Sequence, residues 1–265
     1  MLVRLLLCAL VSFVLLIEGH KLSKSMAPQT QAEAAEMKSI PYSQLTGALM
    51  YLAVATRPDI AYSVGVLARF NSNPGMEHWK AAKHLCRYLQ GTKDFKLTYA
   101  PDSTSKELFT TYSDADHGGN PDNGKSTSGM VVKMGTGAIS WSSRLQGIVT
   151  LSTTEAEYIS AVQAGQEIIW LRNLFTEFGY TFKTGSKLYM DNQSALSVAR
   201  NPEHHGRMKH LDLRHYWLRD IVDSGQIDVL YIPTRDMPAD IMTKALGRVK
   251  VGEMCAMLGL RKDTS

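Results

Sequence analysis

Residues 152–179 read STTEAEYISAVQAGQEIIWLRNLFTEFG, and the spacing of their apolar side chains predicts one long helix. At 3.6 residues per turn, Ala161, Ala164, Ile168, Leu171, Phe175 and Phe178 form a single stripe of the kind that faces a core. One turn earlier the stripe carries Glu157, a carboxylate where a hydrophobe is expected. Glu155 lies two residues away and points to another face. A buried carboxylate is costly unless it is paired, protonated or bound to a cation. The helix alone leaves two readings: Glu157 in a solvated first turn near the positive end of the helix dipole, or Glu157 buried and compensated.

The segments on either side alternate between strand and helix. Upstream, Phe95–Tyr99, Leu108–Ser113, Ser128–Met134 and Ala138–Ser142 have strand character, the last two joined by the turn Gly135–Gly137. Downstream, Lys187–Met190 is a short strand running into Asp191, followed by a helix at Asn192–Ala199. An amphipathic helix at Leu211–Val222 and a strand at Ile227–Ile232 come next. Asp236 is placed to cap a last helix, with Pro238 and Asp240 in its first turn. Farther upstream, Tyr42–Ala55, Ile60–Phe70 and Met76–Leu89 are helical, the last two separated by NSNPG at 71–75. The polar stretch 22–37 reads as a linker or a weak helix.

Composition sets broad limits. With 265 residues, 44% hydrophobic and 20% charged, the chain has the make-up of a folded protein of one large or two ordinary domains. A net charge of +4 permits a polyanionic partner without demanding one. The three cysteines, Cys8, Cys86 and Cys255, are too scattered for a disulfide framework or a zinc site. Four histidines, His204, His205, His210 and His215, lack the cysteine pair or H-E-x-x-H pattern of a metal site, and contact with phosphates suits them better. The helix 76–89 carries His78, Lys80, Lys83, His84 and Arg87, which fits either a phosphate backbone or a solvated face. Residues 1–21 stand apart: Arg4 followed by the apolar run Leu5–Ile17 has the make-up of a signal peptide. The run is shorter than the roughly 20 residues of a membrane span, and no small-x-small cleavage site follows it. A secretory start and a misjoined start of a longer reading frame both fit.

The acidic candidates fall at element ends. In TYSDADHGGN (111–120), Asp114 and Asp116 share one strand phase, so alternation cannot choose between them, and both could equally be turn formers. Asp191 ends a strand and Asp240 opens a helix. Carboxylates from Asp114, Glu157, Asp191 and Asp240 converging at the edge of an α/β sheet would need cations, and two divalent ions are the usual solution in phosphodiester hydrolysis.

Several stretches, in order and spacing, resemble the ribonuclease H domain of copia-type retrotransposon Pol polyproteins. They are TYSDADHGGN, SWSSRLQGIVTLSTTEAEYISA (140–161), LYMDNQSAL (188–196), KHLDLRHYWLRD (209–220) and YIPTRDMPADIMTKAL (231–246). IPYSQLTGALMYLAVATRPDIAYSVGVLARF (40–70) and HWKAAKHLCRYLQGT (78–92) resemble the end of that family's reverse transcriptase. The resemblance runs from about Leu22 to Gly247.

It implies an α/β fold: a ribonuclease H-like mixed five-stranded sheet with flanking helices, preceded by a small helical thumb or connection segment. The expected boundaries are 1–21 for the hydrophobic start, 22–100 for the helical segment, 105–247 for the ribonuclease H domain and 248–265 for a tail. It implies Asp114, Glu157, Asp191 and Asp240 as catalytic, metal-binding acids for two Mg2+ ions, with Mn2+ as a substitute, and no small-molecule cofactor. Asp116 keeps an open role. The implied reaction is cleavage of the RNA strand of an RNA–DNA hybrid, leaving a 3′-hydroxyl. Asn120, Ser152, Thr153, Gln193, Lys209, His210 and Arg214 are the candidate nucleic-acid contacts.

The polymerase signature Y-x-D-D is missing, since YMDN at 189–192 has one aspartate, so no DNA synthesis is expected from this chain alone. The fingers and palm of an intact element are the expected protein partner. The alternative to an enzyme is a catalytically inactive nucleic-acid-binding remnant of a decayed element. Intracellular localisation is expected, with the secretory pathway as the alternative that the signal-like start offers.

Overall fold

The computed structural model describes residues 21–103, 107–200 and 212–262, with side chains given for all of these except 212–215. The hydrophobic start at 1–20 therefore lies outside the described residues, and among the described residues no helix is long and apolar enough to cross a membrane. The described chain divides into two compact units. One gathers residues 21–98, 120–124 and 244–262, the other residues 99–119 and 125–243.

The first unit is mainly helical. The stretch expected as a linker or a weak helix contains helix α1 (Gln31–Lys38), started by Thr30, whose hydroxyl accepts the Glu33 N–H. Helices α2 (Tyr42–Ala55), α3 (Ala61–Ala68) and α4 (Met76–Gly91) follow close to the expected bounds. They pack through Leu45, Leu49, Val64, Leu67, Trp79 and Leu85, and the buried Tyr42 hydroxyl donates to the Leu67 carbonyl at 2.8 Å. A polar knot sits inside. Arg57 grips both Asp59 oxygens at 2.9 and 2.7 Å and reaches Thr92, while the Tyr88 hydroxyl donates to Asp59 at 2.6 Å. His78, expected on a basic surface, is instead fully buried. Its Nδ1 accepts the Gly75 N–H at 2.8 Å, so its Nε2 donates to the Ser23 carbonyl at 3.0 Å. Burial lowers its pKa, which suits a neutral structural ring.

Residues 248–262, within the expected tail 248–265, are part of this unit. Helix α8 (Arg248–Met257) buries Val251, Met254 and Cys255, and strand β7 (Leu260–Lys262) pairs antiparallel with β1 (Phe95–Leu97). The correction has a simple cause: those three apolar side chains recur at helical spacing, and burying them outweighs leaving the end of the chain solvated.

The second unit is built on a five-stranded sheet of order β4-β3-β2-β5-β6. Its strands are β2 (Thr110–Ala115), β3 (Thr127–Met134), β4 (Gly137–Leu145), β5 (Ser186–Met190) and β6 (Ile227–Tyr231). The β2–β3 and β3–β4 pairs are antiparallel and the β2–β5 and β5–β6 pairs parallel. Helix α5 (Thr153–Glu177) leads from β4 to β5, and α6 (Gln193–Arg200) and α7 (Asp212–Asp223) lead from β5 to β6. This mixed sheet, with its first three strands antiparallel and two parallel strands added beyond the central one, is the ribonuclease H-like α/β arrangement.

The stripe expected on α5 is buried at Ala161, Ala164, Ile168 and Leu171, in one core with Phe109, which precedes β2, and Val132, Leu188, Met190 and Val229 of the sheet. It ends one turn early: Phe175 is partly buried against this core, whereas Phe178 is 74% exposed at the helix end, where Gly179 takes a φ of 87°. The helix expected after Asp236 is also absent. Two 3-10 turns, Thr234–Asp236 and Pro238–Met242, stand there, and Met237, not Asp236, precedes the second. Pro238 supplies no N–H to the first turn, and the buried Ala239, Ile241 and Met242 hold the tighter winding in place.

Candidate metal centre

The centre lies where two parallel strands end together. β2 and β5 are neighbours, and their register pairs Tyr112 with Tyr189, whose rings stack at 5.2 Å. Two residues beyond Tyr112 is Asp114, and two beyond Tyr189 is Asp191, so parallel pairing brings these acids side by side at the strand ends. The third acid comes from above the sheet. The buried Ser160 hydroxyl lies 2.8 Å from the Asp114 carbonyl and 3.2 Å from that of Gly129, tying α5 to the backbone of β2 and β3. Glu157, three residues before Ser160 on the same helix face, is thereby held over Asp114. Oxygens of Asp114, Glu157 and Asp191 all lie within 4.8 Å of one another.

Buried Glu157 and the outward Glu155 separate as the helical period predicts. Glu155 belongs to the helix start: Ser152 Oγ accepts the Glu155 N–H at 3.1 Å, and the Glu155 carboxylate accepts the Leu151 N–H at 2.7 Å. The strand pair Asp114 and Asp116 also separates. Asp116 Oδ1 accepts the Thr127 N–H, and the Asp116 N–H donates to the Thr127 carbonyl at 3.1 Å, so Asp116 closes the start of the β2–β3 connection.

Asp240 is buried on the Pro238–Met242 turn, which packs on β3, and it lies outside the 4.8 Å group. Of the four expected acids, three fall within that distance of one another, and the fourth sits on the turn whose Thr243 reaches Asp114.

Two threonines that sequence reasoning missed reach the group. The Thr243 hydroxyl donates to Asp114 Oδ2, and the Thr234 hydroxyl donates to Asp191 Oδ2 at 2.7 Å. Gly129 was missed too. A Cβ at this position would stand 2.6 Å from Thr243 Cγ2, 2.7 Å from Met242 Cβ and 3.0 Å from the Ala239 carbonyl. A glycine inside a strand signals such a close approach.

The candidate nucleic-acid contacts are spread out. Ser152 and Thr153 are exposed at the start of α5, and Gln193 is exposed at the start of α6, beside Asn192, whose side chain caps that helix by accepting the Ala195 N–H at 2.9 Å. Asn120 is buried, and its side-chain oxygen accepts the Asp122 N–H at 2.9 Å inside its own turn. Lys209 and His210 lie outside the described residues, as does the side chain of Arg214.

No family model matches the chain. It is 46% identical over 243 residues to the Pol polyprotein of transposon TNT 1-94 from Nicotiana tabacum, a match covering 91% of this chain and 18% of that protein. It is 38% identical over 221 residues to the Pol polyprotein of transposon RE2 from Arabidopsis thaliana, covering 83% of this chain and 15% of that one. It is also 46% identical over 135 residues to secreted RxLR effector protein 161 of Plasmopara viticola, covering 51% of this chain and 94% of that protein. A solved structure, LC11-RNase H1 isolated from compost, aligns with 51% of this chain and 91% of its own at 16% identity, with a TM-score of 0.40. The strand order, not that loose superposition, identifies the fold. The chain spans less than a fifth of the two Pol polyproteins named, at 18% and 15% of their lengths. On these matches along most of its length, the chain belongs to the copia-type retrotransposon Pol polyproteins.

Proposed function

We propose that the second unit is a divalent-cation-dependent ribonuclease H that cuts the RNA strand of RNA–DNA hybrids. The meeting of Asp114, Glu157 and Asp191 within 4.8 Å, from three different elements, carries this reading. Three carboxylates so close repel one another in their ionised forms. An all-oxygen donor set of this kind suits a hard cation such as Mg2+ or Mn2+ and has no thiolate or imidazole to favour zinc. Asp114, Glu157 and Asp191 would hold the cations, with Asp240 on the adjoining turn as fourth candidate ligand. A pair of such ions would supply activation of water and stabilisation of the leaving 3′-oxygen.

The remaining work falls to the chain itself. Ser160 and the β2–β5 register pre-set the carboxylates, so little reorganisation is required during reaction. Ser152, Thr153 and Gln193, exposed at two helix starts, would contact the hybrid backbone, with Lys209, His210 and Arg214 as further candidates. Such contacts read groove shape and 2′-hydroxyls, so no base preference is expected. Hybrids of this kind would be met inside the cell, where a polymerase supplied by an intact element would be the protein partner.

The test is cleavage of end-labelled hybrid, RNA duplex and DNA duplex in Mg2+. The hybrid alone should yield RNA fragments ending in a 3′-hydroxyl, and Asp191→Asn should abolish them. Cleavage that survives Asp191→Asn would remove the assignment. Salt-sensitive binding of the hybrid without turnover would identify a non-catalytic remnant instead.

A further inference from the structure

We propose that Thr243 is a positioning residue of the metal centre: its hydroxyl sets the orientation of the Asp114 carboxylate and so strengthens the hold on a divalent cation. The inference rests on the metal-centre reading and extends it to a residue that does not itself bind metal.

Both partners are buried, Thr243 at 0% and Asp114 at 2% exposure. The Thr243 hydroxyl donates to Asp114 Oδ2, while the Asp240 carbonyl stands 3.1 Å from the same hydroxyl. A hydroxyl has one proton to give, and a carboxylate is the stronger acceptor of the two. The carboxylate has about four lone-pair directions, so one hydrogen bond orients it and still leaves room for a cation.

The hydroxyl is aimed by packing. Thr243 Cγ2 occupies the space over Gly129, 2.6 Å from where a Cβ would stand, and this packing restricts the χ1 of a β-branched side chain. Gly129 is also the register partner of Asp114 across β2 and β3. The absence of a side chain at 129 therefore lets the turn descend until Thr243 meets the acid opposite.

Thr234 makes the comparison within the same segment. Its hydroxyl donates to Asp191 at 2.7 Å, but this contact is exposed, so water can replace it. At Thr243 a valine in place of threonine leaves no polar space for a water. Outer-shell donors of this kind change metal affinity by roughly ten- to a hundredfold when removed.

The experiment is calorimetric titration of the full chain with Mn2+, with thermal unfolding of each variant followed in parallel. Thr243→Val should bind Mn2+ about ten- to a hundredfold more weakly than the unaltered chain, while Thr243→Ser, which keeps the hydroxyl, should stay within about threefold of it. Thr234→Val should lose less than Thr243→Val. If Thr243→Val unfolds, Thr243→Ala, which removes the hydroxyl without adding bulk, carries the same expectation. Unchanged affinity in the variant lacking the hydroxyl, or equal loss in Thr243→Ser, would overturn the proposal. An unaltered chain that binds no Mn2+, or Asp191→Asn binding as well as the unaltered chain, would show instead that the metal-centre reading has failed and would take the proposal with it.

Discussion

Replacing Gly129 with alanine perturbs the centre without touching a carboxylate. The added methyl would meet Thr243 Cγ2 at 2.6 Å and Met242 Cβ at 2.7 Å, against the roughly 3.5–4.0 Å at which carbon atoms pack comfortably. The third neighbour, the Ala239 carbonyl at 3.0 Å, is backbone and cannot turn aside. All three residues are buried, so the Pro238–Met242 turn must move off the sheet by about 1 Å. Overpacking of this kind costs about 1–3 kcal/mol. It outweighs the roughly 0.5–1 kcal/mol that alanine gains over glycine through the unfolded chain. The same shift carries Thr243 away from Asp114, and a misplacement of about 1 Å in a catalytic centre can cost on the order of 100-fold in rate. Urea unfolding and single-turnover hybrid cleavage should therefore both record a loss in Gly129→Ala. The control is Gly147→Ala in the same unit, where nothing lies within 4 Å of the new methyl, and there neither quantity should fall. A Gly129→Ala protein with unchanged stability and rate would refute the close-approach argument.

Glu157→Gln should abolish hybrid cleavage, whereas Glu155→Gln should keep most of it and cost about 0.5–1 kcal/mol in urea unfolding, the value of a weakened helix start. Asp116→Asn should retain activity, because an amide oxygen can still accept the Thr127 N–H, and kinetics of the purified variant check this directly. In the first unit, Asp59→Ala should cost about 3–5 kcal/mol by urea titration, since it leaves the buried Arg57 without its counter-charge. Burial, followed by the charge of Asp59, pushes the Cys255 thiol from 9.0 up to about 12. The folded state therefore holds its proton more tightly than the unfolded state, and that stability is present below pH 9 and lost as pH rises toward 12. The buried hydroxyls of Tyr42, Tyr88 and Tyr158 are raised too and act in the same direction. Denaturation midpoints measured across alkaline pH should fall accordingly.

What could be read beforehand was whatever local period controls. The 3.6-residue repeat separated Glu157 from Glu155 because burial on one helix face leaves a regular trace in the chain. Period two could not separate Asp114 from Asp116, because both point the same way from the strand. The tertiary structure distinguishes them: Asp114 meets Glu157 and Asp191, whereas Asp116 accepts the Thr127 N–H. The shape around Asp240 was misjudged because helix-start signals are shared by 3-10 turns, and the packing of Ile241 and Met242 decides between them. The place of residues 248–262 was hidden for another reason: the partner strand of β7 lies far back in the chain at Phe95–Leu97. Thr243 shows the same limit most clearly, since its hydroxyl meets an acid 129 residues earlier and nothing local to either residue records the contact.

The central claim is that Asp114, Glu157 and Asp191 form one divalent-cation site that acts on a hybrid. Anomalous diffraction from crystals of the chain grown with Mn2+ and an uncleavable RNA–DNA hybrid tests it most directly. The account predicts manganese peaks at coordination distance, about 2.0–2.2 Å, from oxygens of all three residues and beside a phosphate of the RNA strand. Peaks confined to other surfaces, or three carboxylates that stay free of metal with the hybrid bound, would contradict it.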